Sequence, residues 1–212
     1  MARTHEVTSA RQTKDGHRPT CVTCRQPIEV GQSYKWNQPN RFSIKLNWHS
    51  TCLGPRASAL ESNEKRSQAM QAFENAYDAL DTLDPDDYVT VVDEADKGDT
   101  FDADRVVSDL EDICSTCEGE VQEAAEMWRE SASNIEDGFG HSTFASDEMN
   151  EHADVYDDVA SEAGQAASSI NPFELADYSE AEGDPADGFR AWFEEVVQQV
   201  RDELESAEGS ID

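Results

Sequence analysis

A small β-hairpin module followed by a mainly α-helical acidic region, either an up-down bundle or an intermolecular coiled-coil assembly, is the fold class that the sequence predicts. Three observations predict it. Basic side chains outnumber acidic ones nine to three in residues 1–56, whereas acidic ones lead by 44 to seven in the rest of the 212-residue chain. Two Cys/His couples bracket a stretch of strand-like alternation, and beyond residue 58 apolar side chains recur at helical spacing. The switch in charge marks a boundary near residue 56, so a basic module with an N-terminal arm is expected at 1–56 and an acidic helical domain at 57–212.

Within the basic module, residues 1–20 are polar, carry turn formers at Asp15-Gly16 and Pro19, and read mostly as an arm. Tyr34 and Trp36 then alternate with Ser33, Lys35 and Asn37 in one candidate strand. In a second, Phe42, Ile44, Leu46 and Trp48 alternate with Arg41, Ser43, Lys45 and Asn47, and residues 37–40 turn between the two. A hairpin built this way has one apolar face and one basic-polar face.

Cys21-x2-Cys24 and His49-x2-Cys52 flank that hairpin and supply three thiolates and one imidazole, the ligand set of a closed tetrahedral structural zinc site. A two-residue gap lets a tight turn aim both members of a couple at one ion, and the hairpin returns the chain to the other couple. The module has roughly a dozen apolar residues, too few for a self-sufficient core, so one structural zinc has to complete it. With all four positions filled by protein, no place is left for a catalytic water. His17 is an alternative ligand.

The run Cys21-Val22-Thr23-Cys24-Arg25-Gln26-Pro27-Ile28-Glu29-Val30-Gly31, closed by Trp48-His49-Ser50-Thr51-Cys52, resembles the zinc finger of poly(ADP-ribose) polymerases. The resemblance covers about residues 19–53 and implies recognition of DNA breaks, although the gap before the histidine is shorter and Tyr34 stands where that family usually has Arg. Nothing downstream resembles an ADP-ribosyl transferase. In layout the whole chain also resembles small uncharacterised zinc-finger proteins of tailed viruses of actinobacteria and haloarchaea, through its start, the segment Pro55–Leu60 and the run Arg129–Ile135. That likeness implies no assigned activity.

The acidic region reads as helices. Leu60, Met70, Phe73, Tyr77 and Leu80 form a stripe from Ser58 to about Leu83, ended by Asp84-Pro85. Residues 86–95, with Tyr88, Val89, Val91 and Val92, suit a helical turn or a strand. The longest stripe is Val106, Leu110, Ile113, Cys117, Val121, Ala124, Trp128 and Ile135, with Asp102 as N-cap and Gly138-Phe139-Gly140 as its stop. Met149, Tyr156, Val159, Ala163 and Ala167 mark a helix from about Ser146 to Ile170. Phe189, Trp192, Phe193, Val196, Val200 and Leu204 mark the last.

Cys114-Ser115-Thr116-Cys117 lies inside the longest stripe, which makes both residues core thiols, with a second zinc site or redox chemistry as the alternatives. His141 and His152 read as solvated or capping residues. Carboxylates are too abundant for paired-acid arguments to mean anything. The sequence has no Gly-rich phosphate loop followed by Lys-Ser/Thr and no nucleophile elbow, so an enzyme is not expected.

Two classes of function follow. In the first, the basic module binds nucleic acid, with DNA as partner and Arg25, Lys35, Arg41 and Lys45 as its contacts. In the second, the zinc is purely structural and the chain is a protein-interaction or virion-associated component, docking through its helices to a partner or to another copy. The net charge of −31, with few lysines and many Ala and Val, looks like a protein of an extreme halophile or of a virus infecting one. At molar salt a Debye length of about 3 Å leaves such a surface little self-repulsion. No stretch is apolar enough to span a membrane, and the start lacks the apolar run of a secretion signal, so a cytoplasmic location is expected.

Overall fold

The computed structural model describes residues 4–11, 18–38, 44–56, 59, 63–90, 100–173 and 185–211. They belong to two compact units, Met1–Met70 and Gln71–Asp212. The expected fold class is the one observed, a small antiparallel sheet near the N-terminus followed by four helices among the described residues.

The sheet of the first unit has the order β1 (His5–Val7), β2 (Tyr34–Asn37), β3 (Leu46–His49), all antiparallel. Strand β1 corrects the reading of the first twenty residues as mostly an arm. Three residues are too short for alternation to announce a strand, and the pairing is fastened from outside by Ala10 N–H donating to the Gln32 carbonyl (2.7 Å) and Gly31 N–H donating to the Ala10 carbonyl (2.9 Å). Gly31 takes a left-handed conformation here (φ 91°).

The hairpin also corrects an expectation. Tyr34 pairs with His49, Lys35 with Trp48 and Trp36 with Asn47. Directly paired residues share a face, so Lys35 and Asn37 lie with Leu46 and Trp48, while Tyr34 and Trp36 lie with Asn47 and His49. The expected separation into one apolar and one basic-polar face is not built. A slip of one residue would restore it, but would also displace the Asn47 carbonyl, which accepts from Val22 N–H at 2.8 Å, and His49 beyond it. The cysteine loop therefore holds the register that the apolar pattern alone would not choose. Ala10, Cys21, Ile28 and Trp48 form the small core, with Tyr34, Leu46 and Cys52 packed on it.

The second unit is a helical bundle. Helix α1 (Glu64–Thr82) starts behind Asn63, whose Oδ1 accepts from Lys65 N–H at 3.1 Å, and runs into this unit. Its start falls later than expected, and Leu60 lies outside the described residues. Asp84 and Pro85 open a single 3-10 turn (Pro85–Tyr88), with the Asp84 side chain accepting from Asp86 N–H. A two-residue ladder of β4 (Val89–Thr90) with β5 (Thr100–Phe101) follows; Val91 and Val92 lie outside the described residues.

Helix α2 (Ala103–Phe139) is then capped by the Asp102 carboxylate at Arg105 N–H and stopped by Gly140 in the left-handed conformation, as the sequence predicts. Its 37 residues span about 55 Å at 1.5 Å per residue. Helix α3 (Phe144–Gln165) turns back along it, opened by a reciprocal cap in which Thr143 and Ser146 each bond the other's backbone. Ala124, Ala125, Ala132, Ala153, Ala160 and Ala163 are buried, and such small side chains let the two backbones approach closely.

Helix α4 (Pro185–Glu208) buries every residue of its expected stripe. Phe189 and Trp192 pack with Phe173, and the indole N–H of Trp192 donates to the Asn171 carbonyl at 3.1 Å. Helix α1 is tied in by Tyr77, which donates to Glu208 at 2.9 Å, and by an ion pair between Arg201 and Asp81. No helix among the described residues is long and apolar enough to cross a membrane.

Candidate metal centre

The first couple sits in a loop whose backbone hydrogen bonds leave little freedom. Arg25 N–H donates to the Cys21 carbonyl and Cys21 N–H to the Gln26 carbonyl, each at 2.9 Å, while Ile28 N–H reaches the Pro19 carbonyl at 2.9 Å. To close so tightly the chain puts Arg25 in the left-handed region at φ 58°, a conformation that ordinary side chains rarely adopt. The second couple starts at the last residue of β3. There Cys52 N–H donates to the His49 carbonyl at 3.0 Å, which folds Cys52 back beside the imidazole.

These two turns bring together all four predicted ligands. One ligand atom from each of Cys21, Cys24, His49 and Cys52 lies within 4.8 Å of the others. The Sγ atoms of Cys24 and Cys52 lie 3.4 and 3.9 Å from His49 Nδ1. A tetrahedral zinc with Zn–S of about 2.3 Å and Zn–N of about 2.0 Å requires S···N separations of about 3.5 Å, so the spacing fits the ion. The donor set fits it too: soft thiolates and an imidazole select zinc over hard cations. The four residues can hold a single structural zinc.

The electrostatics explain why three thiols tolerate this crowding. Burial pushes the Cys21 thiol up, but backbone hydrogen bonds at Cys24, His49 and Thr23 outweigh it and bring it down to about 6. Burial and the neighbouring thiols drive Cys52 the other way, up to about 11. A divalent ion relieves that competition, because it lets all three sulfurs be thiolates at once.

The residues expected to contact DNA do not converge. Arg25 is exposed beside the cysteine loop, Lys35 lies at the centre of β2 between Glu6 and Trp48, and Arg41 lies outside the described residues. Lys45 stands over Trp36, its Nζ 3.6 Å from the ring centroid. His5 stacks on the same indole at 4.2 Å with the rings 15° apart. His5 and Lys45, from β1 and from the chain just before β3, therefore both pack on the Trp36 indole. Sequence reasoning missed this stack, because its third member comes from β1. His17 also lies outside the described residues.

Cys114 and Cys117 are buried in α2, and burial pushes their thiols up to about 11 and about 12. Such thiols are poor nucleophiles and poor ligands. Among the described residues, the metal-compatible grouping of His, Cys and carboxylate side chains is the one at Cys21, Cys24, His49 and Cys52. Cys117 instead lines a cavity of about 200 Å³ between α1 and α2, walled mostly by Ala72, Ala76, Ala79 and Ile113. Asn75, Asp112, Thr116 and Glu120 also line it, and Asn75 donates to Glu120 at 3.0 Å, so those two polar groups engage each other across its rim. His152 stacks on Trp128 at 4.7 Å, and His141 bonds the Phe139 carbonyl through Nδ1 at 2.9 Å.

Comparison of the chain with protein-family models, curated proteins and solved structures gives no match. The functional reading therefore rests on the centre itself.

Proposed function

We propose that the chain is a zinc-organised interaction protein without catalytic activity, in which one structural zinc folds the basic module and the acidic helices present surfaces to other proteins. The observation that carries this reading is the saturated ligand set. Three sulfurs and one imidazole nitrogen within 4.8 Å of one another satisfy a tetrahedral ion completely, so none of its positions is open to water or substrate. The ligand order and the turn at Gly31 also suit the resemblance to the finger of poly(ADP-ribose) polymerases. Stacking on a DNA end is a different matter: the half-exposed indole of this sheet already carries His5 and Lys45.

A second reading, nucleic-acid binding by the basic module, is favoured by the exposed Arg25 and by Lys45, whose ammonium rests on an indole and could turn outward. The acidic unit would oppose it in dilute buffer, and molar salt would weaken its phosphate contacts. A salt-rich cytoplasm is the setting that this surface suits best, whether of a halophilic cell or of one infected by a virus. Two measurements test these readings together. Elemental analysis should return one zinc per chain, and a mobility-shift titration of nicked and intact duplexes from about 0.1 to about 3 M KCl should show no complex. Absence of zinc refutes the first reading, and a shift that disappears in an Arg25→Ala/Lys45→Ala variant replaces it with the second.

A further inference from the structure

Two apolar patches stand exposed at places where the backbone is held firmly. One is the tip of the α2–α3 hairpin, where Phe139 is 68 % and Phe144 84 % exposed. Gly140 in its left-handed conformation and the reciprocal Thr143/Ser146 cap fix the turn between them. Asp137, Asp147 and Glu148, all exposed, lie within four residues of one ring or the other along the chain, and the sequence has no Lys or Arg anywhere from Glu130 to Phe189. The other patch is the head of the cysteine loop, where Leu53 is 85 % and Val22 39 % exposed. Thr23 Oγ1 donates to the Leu53 carbonyl at 2.7 Å, which joins the two sides of this patch, and the exposed Arg25 stands at its margin.

Aromatic side chains on a rigid support are the usual anchors of protein interfaces, because little conformational freedom is lost when they dock. A tip made of phenylalanine and carboxylates suits a partner surface of leucine or valine beside a cation. The head of the cysteine loop supplies both parts, with Val22 and Leu53 exposed and the Arg25 guanidinium at their margin. We propose that the hairpin tip of one copy docks on the cysteine-loop head of a second copy, so that the protein assembles head to tip. The idea rests on the interaction reading above and names the partner. Because the two patches differ, the contact is heterologous and a dimer still offers one free tip and one free head.

The test is sedimentation velocity of the zinc-loaded full chain in about 0.3 M KCl, from about 5 to about 500 µM, the range in which so small a contact would begin to fill. The mass should rise with concentration and pass beyond that of a dimer. Phe139→Ser/Phe144→Ser removes the tip and Val22→Thr/Leu53→Ser removes the head; all four side chains are exposed, so both variants keep the wild-type circular dichroism. Each alone should stay monomeric to the highest concentration, and an equimolar mixture should form a one-to-one pair. A wild-type monomer throughout overturns the proposal. So does a tip variant that assembles like wild type, or a mixture of folded variants that fails to pair. A zinc content of one with no DNA shift would leave the interaction reading standing even then.

Discussion

Replacing Cys24 by Ser takes one sulfur from the centre and leaves Cys21, His49 and Cys52, so it measures what the ion contributes. Among the described residues, the core of the basic module contains four buried apolar ones, Ala10, Cys21, Ile28 and Trp48. At roughly 1.5–3 kcal/mol for each large side chain, their burial contributes at most about 8 kcal/mol. Ordering even ten residues of backbone costs more than that, at about 1–2 kcal/mol per residue. A structural zinc supplies on the order of 10–16 kcal/mol, so the ion decides whether this module folds. Cys24→Ser should therefore fall from one zinc per chain to almost none, and the emission of Trp36 and Trp48 should shift to the red. The four helices among the described residues begin at Glu64, so far-UV helicity should stay nearly unchanged. His49→Ala should behave the same way. Equal zinc content in wild type and variant would refute the assignment of the centre, and unchanged tryptophan emission after metal loss would refute its folding role.

The helical unit yields further tests. A Cβ added at Gly140 meets nothing within 4 Å, so Gly140→Ala costs only the strain of φ 74°, about 1 kcal/mol, and should lower the melting temperature by roughly 2–4 °C; an unchanged melting temperature would contradict the cap. High pH should destabilise the same unit. Burial and the hydrogen bond to Asp109 push the Tyr88 hydroxyl up to about 12, and burial holds Cys114 and Cys117 at about 11 and about 12, against ordinary values of 10.0 and 9.0. Tyr77 moves in the same direction, through burial and Glu208. Groups raised in the folded state favour it fully below their unfolded values, so stability should hold up to about pH 9 and fall as pH climbs through 11 and 12. Tyr88→Phe/Cys117→Ala should flatten that fall in melts followed by circular dichroism; a curve of unchanged steepness would show that other groups cause it.

Much of this structure was legible in the sequence wherever one physical signal acted alone. The caps at Asp102 and Gly140 and the stripe from Phe189 to Leu204 depend on neighbours within a few residues, so periodicity and turn chemistry locate them. The four ligands were legible because thiols and imidazole at two-residue spacing have few other uses. Strand β1 was not, since His5–Val7 is a strand through its pairing with Tyr34–Trp36, some thirty residues away, beside the bonds of Ala10 to Gln32 and Gly31. The hairpin register was misread for a related reason. Alternation in Tyr34–Asn37 and in Leu46–His49 gives a face to each strand separately, but their alignment depends on the loop that holds Asn47. Two long-range constraints outweighed the local pattern, and with them the expected basic face disappeared.

The distribution of cations in the acidic unit carries the same lesson about what stabilises it. From Gln71 to Asp212 there are five basic side chains against 42 acidic ones. The four arginines among the described residues are all engaged, and three of them join separate elements. Arg129 on α2 holds Asp154 and Asp157 on α3, Arg190 on α4 holds Asp86 of the 3-10 turn, and Arg201 on α4 holds Asp81 on α1. Exposed pairs of this kind contribute little on their own, so their use is to neutralise carboxylates where two elements meet. The sign of the salt effect follows. Arg129→Gln leaves Asp154 and Asp157 side by side, and should lower the melting temperature in dilute buffer by more than at about 2 M KCl, where the charges are screened. Arg129→Gln/Asp157→Asn removes one of the two carboxylates and should recover most of the loss in dilute buffer. If the single variant loses the same amount at both salt concentrations, the arginine acts by packing its stem between the helices, and charge relief is not its role.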